Sequence, residues 1–172
     1  MTPGRLASIN VSAGGVPKTP VAEAAVTEGG VAGDRQRDVR YHGGPDRAVS
    51  LFSLEAIHAL QREGHPIGVG TAGENLTLSG LDWSAVAPGA EVRVGPVRLQ
   101  VTAYAAPCSN IEGSFAGGAV KRISQKVHPG WSRVYARVLA GGLVRVGDPA
   151  ELGAPSSPGR GPPAVPGGPG EA

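Results

Sequence analysis

Three glycine-rich segments carry polar side chains that a core strand would not need, and these are where chemistry could sit. One is Ala106-Pro107-Cys108-Ser109-Asn110, with Ile111-Glu112-Gly113 behind it as the start of a short helix. Cys108 is the chain's single cysteine. A cysteine at a helix N-terminus feels the positive end of the dipole, which favours the thiolate, the form that attacks electrophiles and binds soft metals. Pro107 would fix the approach to that turn. A free cysteine also commonly serves as a small buried apolar filler, and position alone leaves the two readings level.

A second segment runs from Gly33-Asp34-Arg35 to Tyr41-His42-Gly43-Gly44-Pro45-Asp46-Arg47-Ala48-Val49. Paired glycines let a backbone approach a ligand and turn its N–H groups toward an anion. His42, Asp46 and Arg47 add a titratable imidazole, a carboxylate and a bidentate donor for phosphate or carboxylate. A tight loop held by an Asp–Arg pair explains the same residues equally well. In the third segment, Gly73-Glu74-Asn75-Leu76-Thr77, Glu74 and Asn75 stand at the mouth of a strand, and an asparagine amide can both donate to and accept from a heterocycle. Taken alone, this segment reads as an ordinary turn.

Other chemistries are poorly served. The four histidines, His42, His58, His65 and His128, show no metal-ligand spacing, and one cysteine cannot build a multi-cysteine zinc or iron–sulfur site, so no structural zinc is expected. No local nucleophile signature of a Cys–His hydrolase surrounds Cys108. His128, before Pro129-Gly130, reads as structural.

Short strands must position these segments. Leu6–Val11 and Val21–Val26 have strand-like patterns closed by Gly14-Gly15 and Gly29-Gly30, and Ala48–Phe52 is apolar enough to be buried. Ser53 can cap a helix in which Glu55 lies in the first turn and Leu54, Ile57 and Leu60 share a face, with a stop near Gly64. Glu91–Val94 and Val97–Thr102 form a hairpin through Gly95-Pro96, with valines and Leu99 repeating every second residue. A second hairpin is expected between Val134–Leu139 and Leu143–Val146 through Gly141-Gly142, ended by Gly147-Asp148. Many short strands favour a mainly β barrel or sandwich with a few short helices.

Composition sets the outer bounds. The 172 residues fit one domain, and 28 glycines with 16 prolines argue against a helical bundle. One domain over residues 1–152 and a flexible Pro/Gly-rich tail over 153–172 are expected, because the tail has almost no large apolar residue to offset the entropy of ordering. A net charge of +2 without a basic run, and few aromatic residues, exclude a nucleic-acid partner. The densest arginine cluster, Asp34 to Arg40, suits a small anion. No apolar stretch approaches the roughly 20 residues of a membrane span, no signal peptide is evident, and a single cysteine fits a reducing compartment, so a cytoplasmic location is expected.

As an ordered set the motifs become specific: Gly33-Asp34, His42-Gly43-Gly44 with Asp46-Arg47-Ala48-Val49, Gly73-Glu74-Asn75-Leu76, Pro107-Cys108, then Ser132-Arg133 through Tyr135-Ala136-Arg137-Val138-Leu139 to Gly147-Asp148. From about Ile9 to Asp148 the chain resembles the MOSC family, named for the C-terminal domain of molybdenum cofactor sulfurase, and most closely its small stand-alone bacterial members. The resemblance implies a β-barrel-like fold of mixed strands and a molybdenum-pterin cofactor, with Cys108 at the position of the cysteine proposed to ligate molybdenum or to carry sulfur as a persulfide. It further implies that Asp34, Arg35, His42, Gly43, Gly44, Asp46, Arg47, Gly73, Glu74, Asn75 and Arg133 line the cofactor site. Arg137 could add charge or simply face outward from its strand. The Gly113–Gly130 region matches no ligand-contacting motif of the family, and the N-terminal barrel companion of its larger reductases is not expected.

Three functions follow from this reading. In the first, the domain removes oxygen from N-hydroxylated compounds, with electrons from a separate donor protein. In the second, Cys108 accepts sulfur from a pyridoxal-phosphate desulfurase and hands it on for cofactor assembly. In the third, a non-catalytic module binds a small anion and Cys108 is buried and inert. An edge strand of an open barrel could also pair with a second copy to give a homodimer.

Overall fold

The computed structural model describes residues 4–14, 16–34 and 44–153. The predicted tail from residue 154 onward lies outside them. Strands β1 (Gly4–Val11), β2 (Thr19–Val21), β3 (Glu23–Thr27), β4 (Gly30–Val31) and β5 (Val49–Ser53) precede the helix α1 (Leu54–Arg62). Strands β6 (Leu76–Ser79), β7 (Glu91–Val94), β8 (Val97–Tyr104), β9 (Val134–Ala140), β10 (Gly142–Arg145) and β11 (Pro149–Leu152) follow. Short 3-10 turns occupy Pro45–Arg47, Trp83–Ala85 and, in succession, Ser109–Ser114, Ala116–Gly118 and Val120–Ile123.

The large sheet runs β11-β7-β8-β9-β5-β6-β1-β2, and β1 also pairs with β11 through Gly4 opposite Ala150. That pairing closes every strand of this sheet but β2 into a mixed, mainly antiparallel β-barrel. Its one parallel pair is β5–β6, which needs a crossover, and α1 supplies it. Ser53 Oγ accepts the Ala56 N–H at 3.1 Å, as its capping role requires, while Ala56, Ile57 and Leu60 bury the apolar stripe. At nine residues α1 is far too short to span a membrane, and no helix among the described residues is long and apolar enough to do so.

Two apolar clusters hold the fold. Leu6, Ile9, Leu51, Leu76, Val92, Leu99 and Val134 fill the barrel. Leu6 and Ile9 both point inward although they are three residues apart, because a register shift between Leu6 and Ser8 resets the alternation of β1. Phe52, Ile57, Leu60, Ile111, Phe115 and Ile123 form a second cluster, which pins the 109–123 turns against α1.

Two expectations about strand pairing are corrected. The predicted hairpin of residues 134–146 does not form: β9 lies between β8 and β5, whereas β10 pairs with β3 in a separate three-stranded sheet, β10-β3-β4. Only Gly141 separates β9 from β10, and a hairpin reversal needs at least two loop residues. The chain therefore runs on into the second sheet, and Gly141 passes so near β3 that a Cβ there would lie 2.4 Å from the Val26 carbonyl oxygen. The single strand predicted over Val21–Val26 is two strands split at Ala22, β2 pairing with β1 and β3 with β10. A change of sheet within the segment is invisible to an alternation pattern.

Candidate functional site

At one edge of the barrel, polar side chains are buried together in a way local patterning does not predict. Gly70, at φ +80°, has no room for a Cβ, which would sit 2.4 Å from the Lys18 carbonyl oxygen. The same close approach lets Lys18 N donate to Gly70 O at 3.0 Å. The loop then folds on itself: Gly70 N donates to Glu74 Oε2 at 3.0 Å, and Thr77 Oγ1 donates to the same oxygen at 2.9 Å. Glu74 is 0% exposed, and its other oxygen, Oε1, has no hydrogen-bond partner among the described residues. Burial pushes its carboxyl above the usual glutamate range, against the pull of those hydrogen bonds and of Arg133.

Asn75 is the hub of the neighbouring network. Its Oδ1 accepts Ser50 N at 3.0 Å, and its Nδ2 donates to Asp34 Oδ2 at 2.9 Å and to Asn10 O at 3.3 Å. Asp34 also takes Lys18 Nζ at 2.6 and 2.7 Å and Ser12 N at 3.0 Å, with only 4% of its side chain and 7% of that of Lys18 exposed. Asn10 completes the set by donating to Glu74 O and Thr77 Oγ1 and accepting from Ser8 Oγ. The Asn75 amide, expected to face a ligand, is thus turned inward onto β1 and β5.

Arg133, immediately before β9, is 8% exposed. Its Nη1 donates to Ala72 O at 2.9 Å, and its Nη2 to Ala106 O at 3.2 Å and Ala105 O at 3.4 Å, while Nε has no partner among the described residues. One guanidinium therefore ties the Gly70–Asn75 loop to the segment leading into Pro107-Cys108. Among the described residues no carboxylate makes a contact ion pair with it. Burial holds its basicity below the usual arginine range.

Cys108 is half-buried, in extended backbone, and stands at the N-cap position of the 3-10 turn Ser109–Ser114 without a side-chain capping hydrogen bond. Its carbonyl accepts Ile111 N at 3.2 Å. The turn is only six residues long. The segment beyond it is clasped to α1 from outside: Arg122 pairs with both Glu63 oxygens at 2.7 and 2.9 Å and stacks over Trp131 at 4.0 Å, and Ala116 N donates to His65 Nδ1 at 3.0 Å. The Arg122 guanidinium holds the Glu63 carboxyl below its usual range.

Of the residues expected to line a site, Asp34, Gly73, Glu74, Asn75 and Arg133 come together, and Arg133 joins them to Cys108. Gly44 opens the Pro45–Arg47 turn at φ +92°. Asp46 pairs with Arg137 across to β9 at 3.1 Å, and Arg47 lies 5.2 Å from the centre of the Tyr135 ring. The Asp–Arg pair that holds this turn is therefore formed with Arg137, and the turn stands beside β9 rather than inside the buried network. Arg35, His42 and Gly43 lie outside the described residues. Sequence reasoning missed Lys18 and Asn10. Asn10 did leave a signal, being a polar residue of low strand propensity inside an apolar strand; Lys18 left none. Among the described residues no group of three or more His, Cys, Asp and Glu converges as a metal cage. A cleft of about 190 Å³ lined by Trp83, Tyr104, Gln125 and Ser132 includes the chain neighbour of Arg133 but not Cys108.

The model of the MOSC domain matches residues 38–151 of this chain. The uncharacterized protein YflK of Bacillus subtilis is 34% identical over 122 residues, 70% of this chain and 54% of that protein. The protein YiiM of Escherichia coli is 34% identical over 135 residues, 76% of this chain and 59% of that protein. The chain thus spans little more than half the length of these curated relatives. Among solved structures, YiiM from Geobacillus stearothermophilus superposes with a TM-score of 0.68 at 30% identity, covering 88% of this chain and 76% of its own. The YuaD protein from Bacillus subtilis, at 17% identity and a TM-score of 0.68, shares the fold.

Proposed function

The chain belongs to the MOSC domain family, and from that premise we propose that it binds a molybdenum-pterin cofactor through Cys108 and removes oxygen from N-hydroxylated compounds. The observation that carries the reading is the pairing of a half-buried thiol with a buried arginine that braces the segment before it. A fully buried filler cysteine would not need such a support.

The donor set fits the group. A thiolate is the ligand type a soft transition metal takes, and Cys108 is reachable from solvent. Cys108 would hold the metal, and the backbone at Gly44 with the guanidinium of Arg47 would face the anionic part of the pterin. When bound, the cofactor supplies a centre able to exchange two electrons, so that R–NHOH, two protons and two electrons give R–NH2 and water. The electrons come from a separate donor protein. This chain's own residues orient: Asp34, Lys18 and Asn75 fix the start of the 34–44 segment, and Arg133 fixes Cys108.

Molybdenum and pterin per chain, measured in protein from a host able to make the cofactor and compared with Cys108→Ser, test the reading. Near-stoichiometric metal that is lost in the variant supports it. Absence of metal from both samples, with a persulfide forming on Cys108 beside a pyridoxal-phosphate desulfurase, replaces it with the sulfur-carrier reading. A thiol that reacts only after unfolding would leave the inert anion-binding module.

A further inference from the structure

A guanidinium that is 8% exposed normally meets a carboxylate, because burying an unpaired charge is costly. Arg133 meets none among the described residues. Three backbone carbonyls take its Nη donors, two of them on Ala105 and Ala106, which lead into Pro107-Cys108, and its Nε–H has no partner among the described residues. Glu74 is buried nearby but makes no ion pair with it, its Oε2 being taken by Gly70 N and Thr77 Oγ1.

We propose that Arg133 is the positioning residue of Cys108, fixing the turn through the Ala105 and Ala106 carbonyls and presenting an uncompensated positive charge to whatever anionic species forms at the sulfur. Two consequences follow from the geometry. The fork geometry is used on the chain itself, so Arg133 acts on a ligand at Cys108 through the turn and through charge, without touching it. A thiolate, or a negatively charged group arriving at the sulfur, faces a cation already desolvated by the fold, where its field is screened less than at the surface.

The inference rests on Cys108 being the reactive centre, and its test is independent of cofactor or sulfur donor. Second-order rates of Cys108 alkylation are measured with iodoacetate, which is anionic, and iodoacetamide, which is neutral. Their ratio reports charge at the thiol, whereas a change in accessibility alone moves both rates together. The native chain is expected to show a ratio about threefold or more above that of the urea-unfolded chain, the scale of one unit charge across a partly hydrated gap. Arg133→Met should bring the ratio down to the unfolded value, and Arg133→Lys, which keeps charge but loses the fork, should retain it while shifting both rates in parallel. Equal ratios in native and unfolded wild type, or a ratio that falls as far in the lysine variant as in the methionine variant, would overturn the proposal. Should Arg133→Met not fold, the wild-type comparison and the lysine variant decide it. Failure of the metal and persulfide measurements with this ratio intact would count against the proposed function alone.

Discussion

Replacing Lys18 by methionine isolates the buried pair formed at Asp34, where the second glycine-rich segment begins. Methionine keeps much of the aliphatic stem but removes the ammonium held 2.6 Å from Asp34, whose side chain is 4% exposed. Breaking a buried pair from one side costs about 3–5 kcal/mol, because the remaining charge is left desolvated. Asp34 retains two donors, Ser12 N and Asn75 Nδ2, so the lower end, about 3 kcal/mol, is expected. For a chain of this length, that is a fall in Tm of about 6–12 °C. Adding Asp34→Asn to Lys18→Met removes the stranded charge while leaving an amide oxygen for Ser12 N, and should recover about half of the loss. Urea unfolding at neutral pH, followed by both fluorescence and far-UV circular dichroism to establish a two-state transition, gives the cycle. A loss under about 1 kcal/mol in the single variant, or strict additivity in the double, would refute the claim that this pair is electrostatically coupled in the fold.

Glu74→Gln should be stabilising in a pH-dependent way. The folded carboxyl titrates above its ordinary value of 4.5, so the native state favours the protonated form; that contribution is complete below the unfolded value and is lost as pH rises through the folded one. The gap between variant and wild type, read from urea midpoints, should therefore be small near pH 4 and widen upward by up to about 1.4 kcal/mol per pH unit until the folded group has titrated. Gly70→Ala should cost more than about 2 kcal/mol, since it combines a φ of +80° with a Cβ 2.4 Å from a backbone oxygen; a thermal melt within 2 °C of wild type, at about 2–4 °C per kcal/mol, contradicts the structure here. Ser53→Ala should cost about 1 kcal/mol through loss of the Ala56 cap and leave the alkylation rate of Cys108 unchanged.

How much of this was legible in the sequence depended on whether the information was local. Ser53 with Glu55, Ile57 and Leu60 announced α1 because capping and the 3.6-residue period are both written within a few residues. Val92, Leu99 and Val101 announced the β7–β8 hairpin for the same reason. The course of β10 was not readable, since Leu143 and Val144 fit equally well beside β9 and beside β3, and the choice turns on the close passage of Gly141 under Val26, distant in sequence. The turns over 109–123 carry no period at all; they are held by Ile111, Phe115 and Ile123 against a helix some fifty residues earlier.

The same distinction governs the site. Cys108, Glu74 and Asn75 drew notice because they are polar residues in settings where local rules ask for something else, and such breaches concentrate where a fold gives up stability for function; Arg133 drew notice only through the family resemblance. What residue type could not show is direction. Asn75 turns inward to join β1, β5 and the Asp34 side chain, and Arg133 turns inward to join two loops, so both spend their hydrogen bonds on the fold itself. Lys18, absent from any motif, is built into that frame as firmly as Asp34. A site organised this way is sensitive to its supports: substitution at Lys18 or Arg133 should alter what happens at Cys108 through the loops they hold. Substitution of Arg137, whose pair with Asp46 is exposed, should alter little, because a solvated ion pair contributes about 0–1 kcal/mol and braces no buried loop.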